Sequence, residues 1–221
     1  IFKFEAADPA STVVPLAFDA AGKLYVSAYM GADTAAIYGY DTKTASLEAQ
    51  PVFAIKGFDV TDGLRFNADG SRLLGVDYDA DRPATYWIDE TLAKAQAMLD
   101  QALPDHVNQM QVPNATGEAP ILVTSYSDRD PGRFLLFDLK GNKLEQIAQS
   151  RPWMPVDRMR PTSFMRYAAR DGMSIPAQLT TPSGKGPFPL VVLHYGGPWV
   201  RPIEWRWDPH VQFLVSRGYA V

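Results

Sequence analysis

Residues 189–198 read Pro-Leu-Val-Val-Leu-His-Tyr-Gly-Gly-Pro, an apolar run that ends at His194 and enters Tyr195, Gly196, Gly197 and Pro198. A turn placed directly after a sheet strand, and built on glycines that let backbone pass close to a ligand, can aim N–H donors at developing negative charge. Acyl transfer needs such donors when a tetrahedral oxyanion forms. A Gly-Gly-Pro turn is also common turn chemistry, so its meaning depends on its flanks. The nucleophile of such a reaction commonly sits in a Gly-x-Ser-x-Gly elbow, followed later by an acid and a base. No such elbow occurs in the 221 residues. His106, His194 and His210 all precede the place where a nucleophile would fall, and each reads as structural or solvent-facing. The chain, ending at Val221, is therefore expected to be part of an enzyme and hydrolytically inert by itself.

The flanks read as the start of a doubly wound α/β domain. Leu190 to Leu193 is wholly apolar, as in a strand covered on both faces of a parallel sheet. Asp208 and Pro209 stand as N-cap and first helical residue, Val211, Leu214 and Val215 supply an apolar face, and Gly218 stops the helix. Residues 219–221 open another buried strand. Upstream, residues 164–172 and 174–182 read as a hairpin turning at Asp171 and Gly172, and residues 185–189 as a loop. Before that hairpin, residues 151–163 lack periodicity and hold Pro152, Pro155 and Pro161, which marks an interdomain crossing.

Residues 1–150 follow a different grammar. Gly22, Gly70 and Gly117 each precede a short apolar strand, a polar loop and a second strand closing on Asp41, Asp89 or Asp138; the glycines lie 48 and 47 residues apart. The acids follow their glycines by 19, 19 and 21 residues. Short strands repeating at this period are expected of β-propeller blades, with a β-sandwich as the alternative. A closed propeller has about four blades or more, so three units imply an incomplete ring. The alternation of residues 1–5 reads as a strand under way. The second unit departs after Asp89: residues 90–103 are strong helix formers with Leu92, Ala95, Met98, Leu99, Ala102 and Leu103 on one stripe. They are read as a helical insertion capped by Asp89 and ended by Pro104.

Composition narrows the function classes. Lys and Arg total 21 against 25 Asp and Glu, a net charge of −4, which provides no electrostatic footprint for nucleic acid or an anionic membrane. With no Cys, disulfides, thiolate catalysis and Cys-ligated metals are excluded, while the compartment is left open between cytoplasm and periplasm. No apolar run approaches the roughly 18 residues of a membrane span. Asp77, Asp79 and Asp81 alternate as in a calcium loop, but Arg82 and Ile88 stand where such a loop wants Gly and Glu. That segment and its counterpart at residues 127–132 read as solvated turns. Asn114 to Thr116 matches a glycosylation acceptor pattern. No cofactor or metal site is expected.

The residues 195–199 (Tyr-Gly-Gly-Pro-Trp), the strand before them, residues 208–221 and the hairpin at residues 166–177 together resemble the prolyl oligopeptidase (S9) family of serine peptidases, nearest the acylaminoacyl-peptidase and dipeptidyl-aminopeptidase branch. The resemblance runs the length of the chain. It implies a partial β-propeller of about three blades (residues 1–150), followed by the N-terminal part of an α/β-hydrolase domain (residues 164–221) without its Ser-Asp-His triad. The acylaminoacyl branch usually has His before the Gly-Gly-Pro, whereas prolyl oligopeptidase and dipeptidyl peptidase relatives have Tyr, as here. By that similarity the Tyr195 hydroxyl and the Gly197 amide are the candidate oxyanion donors. The implied partner is an oligopeptide, admitted past the propeller, and the remaining C-terminal portion of the same protein or a second copy is a further expected partner. A non-catalytic propeller module and an esterase of the same fold are the alternatives.

Overall fold

The computed structural model describes residues 12–112, 120–194 and 204–221. The strand read at residues 1–5, the Gly117 turn, the Asn114 acceptor and the 195–198 turn lie outside the described residues. The chain divides into two compact units, Ile1–Gln101 with Val112–Ala119, and Ala102–Gln111 with Pro120–Val221.

In the first unit, β1 (Val13–Phe18), β2 (Leu24–Ala28), β3 (Ala36–Asp41) and β4 (Ser46–Leu47) form an antiparallel meander in chain order. β2 is buried along its whole length, and its period of two divides it between two cores. Leu24, Val26 and Ala28 pack with Ala36 and Tyr38 on one face. Tyr25, on the other, joins Ile37, Val60, Leu73 and Val76, so the same strand also helps to pack the first sheet on the second. That second sheet holds β5 (Leu64–Phe66), β6 (Leu73–Asp79) and β7 (Pro83–Trp87), again in chain order. In place of a fourth strand comes α1 (Glu90–Ala102), which buries Leu92, Ala95 and Leu99 while Met98 and Ala102 face solvent.

The repeat has a physical basis. Gly22 and Gly70 both sit at positive φ, 83° and 69°. In each turn a polar residue three positions earlier closes the loop: Asp19 accepts from the Lys23 amide at 2.8 Å, and Asn67 accepts from the Arg72 amide at 2.9 Å. The recurring acids act alike as well. Oδ1 of Asp41 accepts from the Lys43 and Thr44 amides, Oδ1 of Asp138 from the Lys140 and Gly141 amides, and Oδ1 of Asp89 from the Thr91 and Leu92 amides. These backbone donors, Lys43 first, hold the Asp41 carboxyl below the usual carboxylate range. One device thus starts a strand-to-strand turn twice and a helix once.

In the second unit, β8 (Val107–Gln111), β9 (Ile121–Tyr126), β10 (Arg133–Asp138) and β11 (Lys143–Gln149) form an antiparallel sheet in the order β11-β10-β9-β8. A 3-10 turn at Val156–Arg158 precedes the expected hairpin, β12 (Thr162–Ala168) and β13 (Ser174–Thr180), whose turn places Gly172 at φ 86°. Residues 219–221 then lie between β13 and the 189–191 segment. Thr180 and Val221 exchange both backbone hydrogen bonds at 2.9 Å, and Leu190 pairs with Ala220 in parallel. α2 (Pro209–Ser216) is the crossover between the two parallel segments. The apolar segment differs from its expected burial: Leu190 is 63%, Val192 73% and Leu193 48% exposed. Among the described residues its ladder pairing is the Leu190–Ala220 bridge, and of the four apolar residues Val191 alone is half-buried. Among the described residues, no helix is long and apolar enough to cross a membrane.

Asp89 both caps α1 and pairs with Arg72 at 2.7 Å. Asp89→Ala is expected to lower unfolding stability by about 1–2 kcal/mol, read as a shifted urea midpoint with the slope unchanged. Asp89→Asn, which keeps the cap oxygen, should recover most of that loss.

Candidate functional site

Tyr195 and Gly197, the candidate oxyanion donors, lie outside the described residues. Both stems of their segment are described, and each is anchored. On the N-terminal side, the Pro189 carbonyl accepts from the Ala220 amide at 2.9 Å and the Val191 amide donates to the Ala220 carbonyl at 2.8 Å. His194, at the end of this stem, is exposed. On the C-terminal side, Trp205 is 4% exposed and packs with Val107 of β8 and Tyr126 of β9. Its indole N–H donates to the Thr162 carbonyl at 3.4 Å, and that of Trp207 donates to the Met159 sulfur at 3.3 Å. The Arg206 guanidinium lies over the Tyr126 ring at 5.1 Å.

α2 begins where the sequence places it. Asp208 Oδ1 accepts from the His210 and Val211 amides at 2.7 and 2.9 Å, Pro209 takes the first helical position, and Gly218 ends the turn at φ 92°. The face it buries overlaps the expected apolar one at Val215 but is centred one residue round, on Gln212. Gln212 and Val215 are buried, whereas Val211 and Leu214 are only half covered. Gln212 Oε1 accepts from the Arg160 amide at 2.8 Å, and its Nε2 donates to the Arg160 carbonyl at 2.8 Å and the Asp128 carbonyl at 3.2 Å. A single carboxamide therefore ties α2 to the connection before β12 and to the loop between β9 and β10.

That loop, residues 127–132, overturns its reading as a solvated turn. Asp128 is 6% exposed and Asp130 fully buried. The Ser127 hydroxyl accepts from the Arg129 and Asp130 amides, which folds the loop inward. Asp128 Oδ2 accepts from the Thr162 amide at 2.6 Å, the first residue of β12. Asp130 Oδ1 accepts from the Gly132 amide at 2.9 Å, and Oδ2 faces Arg133 and the His106 ring. Burial raises the Asp130 carboxyl, but hydrogen bonds from His106, Arg133 and Gly132 outweigh it and hold the group well below the usual carboxylate range. Turn composition marks the bend but carries no information about which way its carboxylates point, and here they point inward because cationic and backbone donors await them.

None of the described histidines stands in a nucleophile–base arrangement. His106 is held between Asp130 and the Pro104 carbonyl, His194 is exposed, and His210 is 85% exposed with Asp208 at 3.7 Å. Asp77, first of the alternating acids, has its carboxylate engaged by Arg65 Nε at 2.7 and 2.6 Å and by the Thr85 hydroxyl at 2.6 Å. Among the described residues, no group of three or more His, Asp or Glu could hold a metal ion. A cleft of about 490 Å³ lies between the 155–160 connection, Pro182 and Ser183, and the C-terminal half of α2; its charged lining is Arg158 and Arg160.

Comparison with known proteins finds the same architecture. The chain is 28% identical over 211 residues to dipeptidyl aminopeptidase BIII of Pseudoxanthomonas mexicana, a match covering 90% of this chain and 29% of that protein. Among solved structures it superposes on dipeptidyl peptidase 4 of Porphyromonas gingivalis with a TM-score of 0.59 at 21% identity, covering 93% of this chain and 29% of the other. Prolyl oligopeptidase B of Galerina marginata matches with a TM-score of 0.62 at 12% identity, over 95% of this chain and 30% of the other. No protein-family model matches the chain. The chain thus spans less than a third of the length of these relatives. It resembles the S9 peptidases in sequence and carries their fold, a partial β-propeller followed by the N-terminal part of an α/β-hydrolase domain.

Replacing Gln212 by Leu keeps the volume but strands the Arg160 amide and two carbonyls. The variant is expected to lose about 2–4 kcal/mol, measured by chemical denaturation, with amide exchange at Thr162 accelerated.

Proposed function

We propose that this chain supplies propeller blades and the oxyanion turn of a serine peptidase that cleaves short peptides through an acyl-enzyme. The reading assigns the propeller to residues 1–150, the connection to residues 151–163 and the peptidase portion to residues 164–221. One observation supports it: the 189–191 and 219–221 segments run parallel with α2 between them, so in sequence Tyr195 and Gly197 come after the C-terminal end of an early sheet strand. Ligand sites of α/β sheets form at that end, and hydrolases of this fold take an oxyanion donor from this loop. The peptidase names of the similar proteins support the reading, and they cover both dipeptide-releasing and prolyl-cleaving enzymes.

In the proposed reaction, a Ser hydroxyl supplied beyond residues 164–221 attacks the substrate carbonyl, and a His takes its proton. The carbonyl oxygen gains negative charge as the tetrahedral intermediate forms. The Tyr195 O–H and the Gly197 N–H donate to that oxygen, and collapse expels the amine, which takes the proton back from the His. Water repeats the sequence to release the acid. Neither donor need change charge, so their contribution lies in being aimed before the reaction starts. Exposed Leu190, Val192 and Leu193 agree with this assignment, because parallel strands of such domains bury both faces when the sheet is complete.

The first test is the reading frame past Val221, which is expected to continue into a Gly-x-Ser-x-Gly elbow; a stop codon there removes the peptidase reading and leaves a propeller-type binding module. In the protein containing that elbow, Tyr195→Phe should lower kcat on short peptide amides by about 10²–10³-fold with KM little changed. An unaltered kcat removes Tyr195 from the oxyanion site.

A further inference from the structure

His106 sits on the segment between α1 and β8, its side chain 19% exposed and therefore within reach of solvent protons. Its two ring nitrogens meet acceptors on both sides. Nδ1 lies 2.9 Å from the Pro104 carbonyl and Nε2 3.4 Å from Asp130 Oδ2. A neutral imidazole has one N–H to offer, so in that state one nitrogen turns a lone pair toward an acceptor. Only the imidazolium donates to both.

The partner carboxylate sits at the centre of the loop that joins two substructures. Asp130 is fully buried in the 127–132 loop, two residues from the Asp128 carboxylate that holds the Thr162 amide at the start of β12. The Asp128 carbonyl meanwhile receives the Gln212 side chain of α2. A change in how the loop is held at Asp130 thus reaches both β12 and α2 through Asp128.

We propose that His106 and Asp130 form a proton-operated latch that sets how firmly the β8–β11 sheet grips the β12–β13 hairpin and α2. The latch is engaged when the imidazole carries both protons and is weakened when it loses one. The inference rests on these contacts and is independent of the proposed peptidase activity.

The charges facing the ring come from Asp130 and Arg133; its own segment presents the Pro104 carbonyl. The Asp130 hydrogen bond raises the imidazole above its ordinary value, burial and Arg133 oppose it, and the Pro104 carbonyl adds to the rise. Because the folded value lies above the unfolded one, the latch contributes fully at pH below the ordinary histidine value. Its contribution is lost as pH climbs through the raised value. Asp130 acts in the opposite sense and at far lower pH: its stabilisation is present above the ordinary carboxylate range and lost only under strong acid. Arg133 keeps Asp130 paired after His106 deprotonates, so the latch loosens the loop without unfolding it.

The test is residue-resolved amide exchange on the 221-residue chain between about pH 5.5 and 9, a range spanning the histidine titration, with rates corrected for intrinsic pH dependence. Protection of the Thr162 amide should fall with rising pH by up to about tenfold for each unit by which the His106 value is raised. The Ile37 amide, in the first unit, should not follow it. In His106→Gln, Thr162 protection should be low and flat across the range. A wild-type Thr162 profile that parallels Ile37, or an unchanged fall in His106→Gln, overturns the latch. Should His106→Gln not fold, nitrogen NMR of the wild-type imidazoles decides. Loss of the second His106 ring proton over the same pH range in which Thr162 protection falls supports the proposal, and loss of that proton over a different range overturns it.

Discussion

The second unit depends on removing two carboxylates from water without leaving either unpaired. An ionised carboxylate moved into a protein interior costs several kcal/mol unless donors replace its hydration. The 127–132 loop meets this demand twice, by different means. Asp130 is compensated by the Arg133 guanidinium and by hydrogen bonding with the His106 ring, together with one backbone amide. Asp128 instead takes the Thr162 amide, which would otherwise be a strand end lacking a partner. The satisfaction is mutual: the loop needs β12 for its acid, and β12 needs the loop for its first N–H. Gln212 extends the same logic to α2, for its carboxamide answers three backbone groups that no regular ladder could reach. Removing any one member strands groups on the others, which is why such a network behaves as a unit.

A common local device underlies the repeated sheets. An Asp accepting amides two and three residues ahead closes a tight turn whichever way the chain then goes. After Asp41 and Asp138 the next residues form strands β4 and β11, and after Asp89 they form α1. What differs is the sequence that follows. Residues 90–99 are strong helix formers with Leu92, Ala95, Met98 and Leu99 on one stripe, whereas Ala45 and Asn142, each four residues after its acid, turn the chain back at φ 53° and 47°. The acid is therefore a switch point with no preference of its own, and the residues that follow decide: a left-handed residue at the fourth position returns the chain as a strand, and a run of helix formers continues it as α1. Its recurrence at intervals of 48 and 49 residues made the repeat visible.

This explains which parts of the fold were legible in the sequence. Turns, caps and strand periodicity are local, and the hairpin, α1, α2 and the three sheets between residues 13 and 149 appear where local chemistry put them. The misreadings are of another kind. Residues 127–132 have turn composition, and composition says nothing about whether a bend faces solvent or a neighbour 34 residues away. Gln212 escaped notice because a hydropathy pattern counts it as polar, although its spacing of three from Val215 puts it on the buried face. Residues 190–193 failed in reverse. Apolar residues state a preference for burial, but burial needs a partner on each face, and here Leu190, Val192 and Leu193 stay exposed while Val191 is half-buried. Each of these outcomes is set by a partner distant in the chain.

The same distinction bears on where chemistry can be precise. A turn that must hold donors against a developing charge within a few tenths of an ångström cannot rely on its own glycines, which are the most permissive residues in the chain. Precision has to come from the stems. Here one stem is fixed by paired hydrogen bonds to Ala220, and the other by Trp205, buried against β8 and β9 and bonded to the Thr162 carbonyl. The Thr162 amide is in turn held by Asp128. Thr162 therefore connects, through its two backbone groups, the C-terminal stem of the candidate turn to the loop that carries the buried acids. The described contacts thus fix the chain on both sides of residues 195–203, and the order there is supplied by residues remote in the sequence.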